Sequence, residues 1–229
     1  MNTERPNPDL LARLARDLAA EPDVDGVLRR VVDAAVFQLD GADHAGITVL
    51  SKRSVSTPVC SDDLVLKVDA AQYSANEGPC LNAALDPVPM VRVDDLRTDA
   101  RWPTFAAAAV ELGVLSMLSF QLYTEHDTIG ALNIYADEAN AFDDEDCHTG
   151  QLLATHAAVA AAAAVEAGNL RTALESRDVI GQAKGILMSR YQLTADQAFD
   201  LLITASQHTH RKLNDVASQL AATGELAVD

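Results

Sequence analysis

"LSMLSFQLYT" (115–124) and "TIGALNIYA" (128–136) are two apolar runs separated by the polar "EHD". Length, composition and the short polar break predict a central antiparallel hairpin. Outward from it, "HAGITVLS" (44–51) is short and β-branched enough for a strand and is followed by "VSTPVCS"; "VPMVRV" (88–93) is a further strand candidate. Helical spacing marks Leu10, Leu11, Leu14 and Leu18, then Val24, Leu28, Val31, Val32, Ala35 and Leu39. "DLVLKVDAAQY" (63–73) is amphipathic, "PCLNAAL" (79–85) opens with the first-turn residue Pro79, and "PTFAAAAVELGV" (103–114) reads as a helix ended by Gly113. Strands and helices mix without strict βαβ alternation, so the fold class is α+β.

The 229 residues are 48% apolar, enough for a real core and against wholesale disorder. The start, "MNTERPNPDLLARLARDLAAEPD", has no uninterrupted apolar core and does not read as a signal peptide, and "AAVAAAAAV" (157–165) is too short to span a bilayer. Cys60, Cys80 and Cys147 are odd in number and lack CxxC spacing, which favours reduced thiols over disulfides or structural zinc. The expectation is a cytoplasmic protein with no membrane partner. Residues 1–170 carry 27 of the 34 acidic and 11 of the 17 basic side chains, whereas residues 171–229 carry 7 and 6. The last quarter is thus nearly neutral behind a strongly acidic body. That shift suggests two modules and argues against non-specific DNA binding.

The tail opens on "GQAKGILMSRY" (181–191). Ile180, Ala183, Leu187 and Tyr191 recur at helical spacing, yet Gly181 and Gly185 interrupt the helix at about 1 kcal/mol each relative to alanine. "TADQ" (194–197) is a capping box opening a second helix with Ala198, Leu201, Leu202 and Ala205 on one face. A third helix carries Leu213, Val216, Ala217 and Leu220, with Gly224 beyond its end. Three short amphipathic helices make a small bundle. From Asp143 to Arg190 there is no proline and much alanine, so one long helix is expected to join the modules. Its stripe runs through Leu152/Leu153, Val159, Leu170 and Leu174, without a clean heptad repeat.

"NEGPC" (76–80), "VRVDDLRTDARWPTFAAAAVELGVLSMLSFQL" (91–122), "GALNIYA" (130–136) and "AFDDED" (141–146) resemble a GAF domain. "AKGILM", the Ala198–Phe199 pair and "RKLNDVA" resemble an ANTAR domain, an RNA-binding antiterminator module. Together they resemble GAF-ANTAR transcription antitermination regulators of actinobacterial type. The implied layout is an N-terminal helix (1–23), a GAF-like sensory domain (24–166) and an ANTAR-like domain (167–225). The resemblance implies an antiparallel sheet backed by helices, a small-molecule pocket, a homodimer and hairpin RNA in nascent transcripts as partner. Two departures stand out: Asn76 where the GAF pattern has glycine, and His210 where ANTAR members often have asparagine.

Each candidate residue has a plainer reading beside the functional one. Gly181 and Gly185 form a GxxxG spacing that allows close helix packing, within the bundle or across a dimer, or the approach of an RNA backbone, with Gly185 the RNA-binding candidate. Arg177 and Lys184 share one side of the helix and suit phosphate, although Lys184 also suits snorkelling from a packed face. Arg211 and Lys212 start the third helix, where cations oppose the dipole and a bound anion explains them better. Arg190 and Tyr191 are weaker candidates, and Tyr191 reads first as core. Cys80 near a helix start is a redox candidate with a lowered thiol pKa; buried free cysteine is the plainer reading. Certain GAF-fold enzymes reduce methionine sulfoxide through cysteines, which makes a reductase a third and weaker reading. "DDED" (143–146) is read as favourable acids opening a helix rather than a metal site. His156, His208 and His210 lack a zinc set, and there is no P-loop, GxSxG or HExxH. No metal, cofactor or catalytic residue is expected. The alternative function is a ligand or thiol redox sensor whose last helices dock a protein.

Overall fold

The computed structural model describes residues 8–51, 54–85, 88–124 and 128–226, in two units, 1–165 and 166–229. In the first unit, β1 (His44–Ser51), β2 (Ser54–Cys60), β3 (Met90–Val93), β4 (Ser116–Tyr123) and β5 (Thr128–Ala136) form one sheet. The order is β2-β1-β5-β4-β3 and each neighbouring pair is antiparallel. The expected hairpin is β4–β5, with Leu118 opposite Ile134 and Phe120 opposite Leu132. Its "EHD" turn lies outside the described residues. The segment "VSTPVC", which the sequence left unassigned, is the edge strand β2. Its register with β1 shifts between Ile47 and Val49, opposite Thr57 and Pro58, and an edge bulge is where a strand tolerates a proline without an N–H.

The helices are α1 (Pro8–Ala20), α2 (Val24–Gln38), α3 (Asp63–Ala75), α4 (Pro79–Leu85), α5 (Pro103–Glu111), α6 (Asp144–Tyr191), α7 (Ala195–Thr209) and α8 (Leu213–Thr223). Alternation along the strands splits the first unit into two cores. Leu118, Phe120, Leu132 and Ile134 pack with Leu14 and Leu18 of α1, Val31 and Val32 of α2, and Leu153 and Ala157 of α6. Met117, Ala131 and Tyr135 pack on the other face with Val65, Cys80 and Phe105 from α3, α4 and α5. Gly130 to Ala136 are therefore all buried, as in a strand covered on both faces, and Asn133 is the one polar side chain among them. At Gly150 of α6 an added Cβ would lie 2.3 Å from the Phe120 ring, so glycine sets how closely the helix approaches β4.

The second sheet face also holds a chain of polar groups whose direction follows from counting donors. Thr48 Oγ1 accepts from Cys80 Sγ (3.0 Å) and Asn133 Nδ2 (3.0 Å), so its own proton goes to Tyr73 Oη at 2.9 Å. Tyr73 then donates to Thr57 Oγ1 (2.7 Å), which donates to Asp69 Oδ2 (2.6 Å). Asp69 Oδ1 accepts from Gln72 Nε2 (3.1 Å) and from Tyr135 Oη. One carboxyl thereby ties β1, β2 and β5 to α3 and α4. Burial pushes its pKa up, against hydrogen bonds from Thr57, Tyr135 and Gln72 that favour the ionised form.

In the second unit, Ala183 and Leu187 of α6 join Ala198, Leu202, Ala205, Val216, Ala217 and Leu220 in one core. The expected capping box is present: Gln197 N donates to Thr194 Oγ1 (3.3 Å) and Thr194 N to Gln197 Oε1 (2.9 Å). Gly224 caps α8 at φ 74°. Tyr191 corrects the core expectation, being 54% exposed. It is the last residue of α6, one turn beyond Leu187, and Gln192 at φ 56° turns the chain away. Within α6, residues 165–175 are all exposed.

Two outcomes check this packing. An unfolded aspartate titrates at about 3.9. Above that pH the unfolded chain releases the Asp69 proton while the fold retains it, so stability falls as pH rises until Asp69 ionises in the fold. Asp69→Asn removes this slope. Urea unfolding followed by the single tryptophan, Trp102, shows the variant gaining on the wild type with rising pH; a pH-independent difference overturns the raised pKa. His210 caps α7 in the left-handed region (φ 52°, ψ 29°), which asparagine occupies more readily. His210→Asn stabilises the bundle by up to about 1 kcal/mol, read as slower hydrogen exchange in α7 and α8.

Candidate functional site

In the first unit, the "NEGPC" stretch builds a joint rather than an exposed thiol site. Asn76 ends α3 at φ 52°, a left-handed cap that glycine and asparagine both suit, which accounts for the departure at this position. Glu77 Oε1 accepts from Thr104 N (2.7 Å) and Phe105 N (2.9 Å), capping α5 from a distant loop. These bonds to the Phe105 and Thr104 amides hold its carboxyl below the usual range. Trp102 Nε1 donates to Asn82 Oδ1 at 2.7 Å, and the Arg101 guanidinium lies 4.3 Å from the Trp102 ring centroid. Cys80 N donates to Gln72 Oε1 at 2.9 Å.

Cys80 itself is fully buried, and its thiol is pushed up to about 12 by burial and then by the Asp69 charge. The expected lowering of the Cys80 pKa is therefore reversed: α4 is short, and desolvation dominates any helix effect. Facing the same interior, Ser119 Oγ and Asn133 Oδ1 are buried with no hydrogen-bond partner among the described residues. Ser119 and Asn133 are cross-strand neighbours on β4 and β5. At the start of α6, Asp143 Oδ1 accepts from Glu145 N (2.7 Å) and Asp146 N (3.0 Å), so "DDED" caps and opens a helix as read.

In the second unit, an added Cβ at Gly181 or Gly185 would meet nothing within 4 Å among the described residues. Close packing inside this bundle is therefore not what these glycines serve. Gly181 lines a groove of about 560 Å³ together with Arg177, Ile180, Lys184 and Phe199, and Gly185 lies in a shallower depression with Ile186 and Arg190. The structure brings Arg177 and Lys184 together on that groove. Neither side chain has a salt bridge among the described residues, and Lys184 Nζ stands 5.5 Å from the centroid of the Phe199 ring.

The other basic candidates have local partners or lie outside that groove. Arg190 Nη1 donates to Gly224 O and closes the C-terminus of α8. Arg211 Nη1 donates to Gln219 Oε1, while Ser206 Oγ donates to Arg211 O at 2.6 Å. Lys212 is the N-cap of α8 and makes no side-chain cap, so α8 begins at Leu213, two residues after Arg211. Tyr191 is exposed and free of the core. Phe199 is absent from the sequence-derived site residues. The readable signal was an aromatic beside the Ala198–Leu202 stripe rather than within it.

A model of the GAF domain matches residues 21–162, and a model of the ANTAR domain matches residues 168–220. No curated protein matches the chain. Among solved structures, the chromophore-binding domain of a bacteriophytochrome from R. palustris is similar at TM-score 0.56 and 11% identity, over 69% of this chain and 62% of that one. This chain thus spans less than two thirds of that fragment. A free methionine-R-sulfoxide reductase from Neisseria meningitidis, solved with its substrate, is similar at TM-score 0.52 and 17% identity, over 69% and 89% of the two chains. At such identities the likeness shows a shared fold alone. The chain belongs to the GAF domain family, and its sensory domain is followed by an ANTAR domain, an RNA-binding antitermination module.

Proposed function

We propose that this protein binds paired RNA hairpins in nascent transcripts through its last three helices, stabilises them, and so disfavours a terminator. The observation that carries this reading is the pair Arg177 and Lys184, without salt bridges among the described residues, beside an open helix backbone at Gly181. On a chain of formal charge −17, two such cations at a groove supply a local phosphate contact rather than a general affinity for polyanions. Lys212, the N-cap of α8 without a side-chain cap bond, offers a further cation at that helix start.

The interior of the first unit is assigned the sensory input, supported by the unpartnered Ser119 Oγ and Asn133 Oδ1. No catalysis is assigned to this chain: Cys80 lacks both the exposure and the thiolate that nucleophilic chemistry requires. Two copies are proposed to pair through α6, whose Val165, Leu170 and Leu174 are exposed, without cover among the described residues. Pairing would place two RNA-binding bundles in one particle, matching two hairpins.

Binding to a two-hairpin RNA at physiological salt, with duplex DNA as control, tests the reading. Wild type selects the RNA; Lys184→Ala weakens it and lowers the salt slope by about 1. Gly181→Ala and Gly185→Ala each stabilise the helix by about 1 kcal/mol while weakening RNA binding. Stabilisation with unchanged affinity, or no RNA selectivity in the wild type, overturns the assignment in favour of protein docking. Separately, Leu170→Asp with Leu174→Asp converts a dimer to a monomer in sedimentation; an unchanged mass rejects pairing through this stripe.

A further inference from the structure

The second unit has two aromatic residues, Tyr191 and Phe199. Phe199 sits on α7 directly after Ala198, which is fully buried, and is itself only half-buried. Its ring forms part of the groove wall opposite the face of α6 that carries Arg177, Ile180, Gly181 and Lys184. A bundle core made largely of alanine, valine and leucine has no evident need for a phenylalanine held at its margin. The groove's volume of about 560 Å³ falls within the range of sites that hold one small molecule. It is too small for a duplex.

Three chemistries meet there: a π face on Phe199, an apolar floor at Ile180, and cations at Arg177 and Lys184. A planar, weakly polar ring flanked by anions satisfies all three at once, and that is the description of a nucleotide. We propose that the groove takes a single unstacked base from an RNA hairpin loop, stacked on Phe199, with its flanking phosphates held by Lys184 and Arg177. This inference rests on the RNA-binding reading above and specifies how the loop is read.

Lys184 Nζ now lies 5.5 Å from the ring centroid. At that distance the ammonium stands near the outer limit of a cation–π contact, so an arriving base can take its place on the ring. The flexible lysine stem lets the ammonium leave the ring for a phosphate as the base arrives. Gly181 has a defined part in this arrangement. It lines the groove and has nothing within 4 Å of an added Cβ, so a methyl there would stand in the path of the ribose and phosphate. RNA-binding surfaces read splayed loop bases in this manner, through an aromatic face and adjacent cations.

The test uses the full chain and a two-hairpin RNA whose loop positions carry 2-aminopurine one at a time. The wild type quenches the fluorescence of one loop position selectively. Phe199→Leu loses that quenching and weakens binding by about tenfold or more, whereas Phe199→Tyr retains both. Making the same position abasic lowers wild-type affinity by a similar factor, and on that RNA wild type and Phe199→Leu bind alike. Unchanged affinity of Phe199→Leu, or losses that add instead of merging, overturn the stacking inference while leaving RNA binding intact. Absence of RNA binding by the wild type overturns both. Should Phe199→Leu lose its helical circular dichroism, the wild-type quenching and abasic results still decide, because neither alters the protein.

Discussion

The fold is governed by the burial of β5 on both faces. A strand with no wet side must be covered twice, and the chain supplies two unlike covers: α1, α2 and the start of α6 on one face, α3, α4 and α5 on the other. The first cover is almost wholly apolar. The second admits the chain from Cys80 to Asp69, in which every hydroxyl has one direction to point. Such a network is stable only if it is complete, since each missing partner would strand a buried polar group. On this face Ser119 Oγ and Asn133 Oδ1 are left without a partner among the described residues. The apolar face thus fixes the architecture, and the polar face is where a change in occupancy would be felt.

Most elements were legible because local patterning and tertiary packing agree. "HAGITVLS" is β1 residue for residue, Pro79 starts α4, Gly113 follows α5, and Thr194 with Gln197 closes the capping box. What stayed hidden was long-range. The role of Glu77 is set by the amides of Thr104 and Phe105, far along the chain, and no period or spacing reports that bond. The Cys80 thiol departs from the sequence expectation for the same reason, because a helix start is local whereas desolvation comes from the whole α3–α4–sheet interface. β2 was missed because a proline and alternating polar residues describe a bulged edge strand poorly.

The two departures from the family patterns, Asn76 and His210, have a common physical explanation. Both residues occupy left-handed caps, at φ 52° in each case. At such a position the side chain matters first through the backbone conformation that it tolerates. Asn76 suits the conformation nearly as well as glycine would, so the substitution leaves the joint between α3 and α4 intact. His210 suits it less well, and the strain falls at the turn that presents Arg211 and Lys212.

That turn is one of several points where the last module departs from what bundle stability alone would select. Two helical glycines face open space, cations rather than acids precede α8, and an aromatic residue stands at the edge of the core. The first module shows the opposite habit: Asp62 and Asp143 cap their helices, and Gly150 is filled against by Phe120. Local violations without a compensating contact in the same chain are expected where a surface is shaped for something else. Here they share a sign and a geometry. The glycines remove side chains that would obstruct a partner, and Gly181 with Arg177, Lys184 and Phe199 leaves a bare backbone, two cations and an aromatic face in one groove. A surface selected to pack a second protein helix would need the small residues but neither cations without salt bridges nor a half-buried ring at the margin, and that distinction is what the proposed RNA contact rests on.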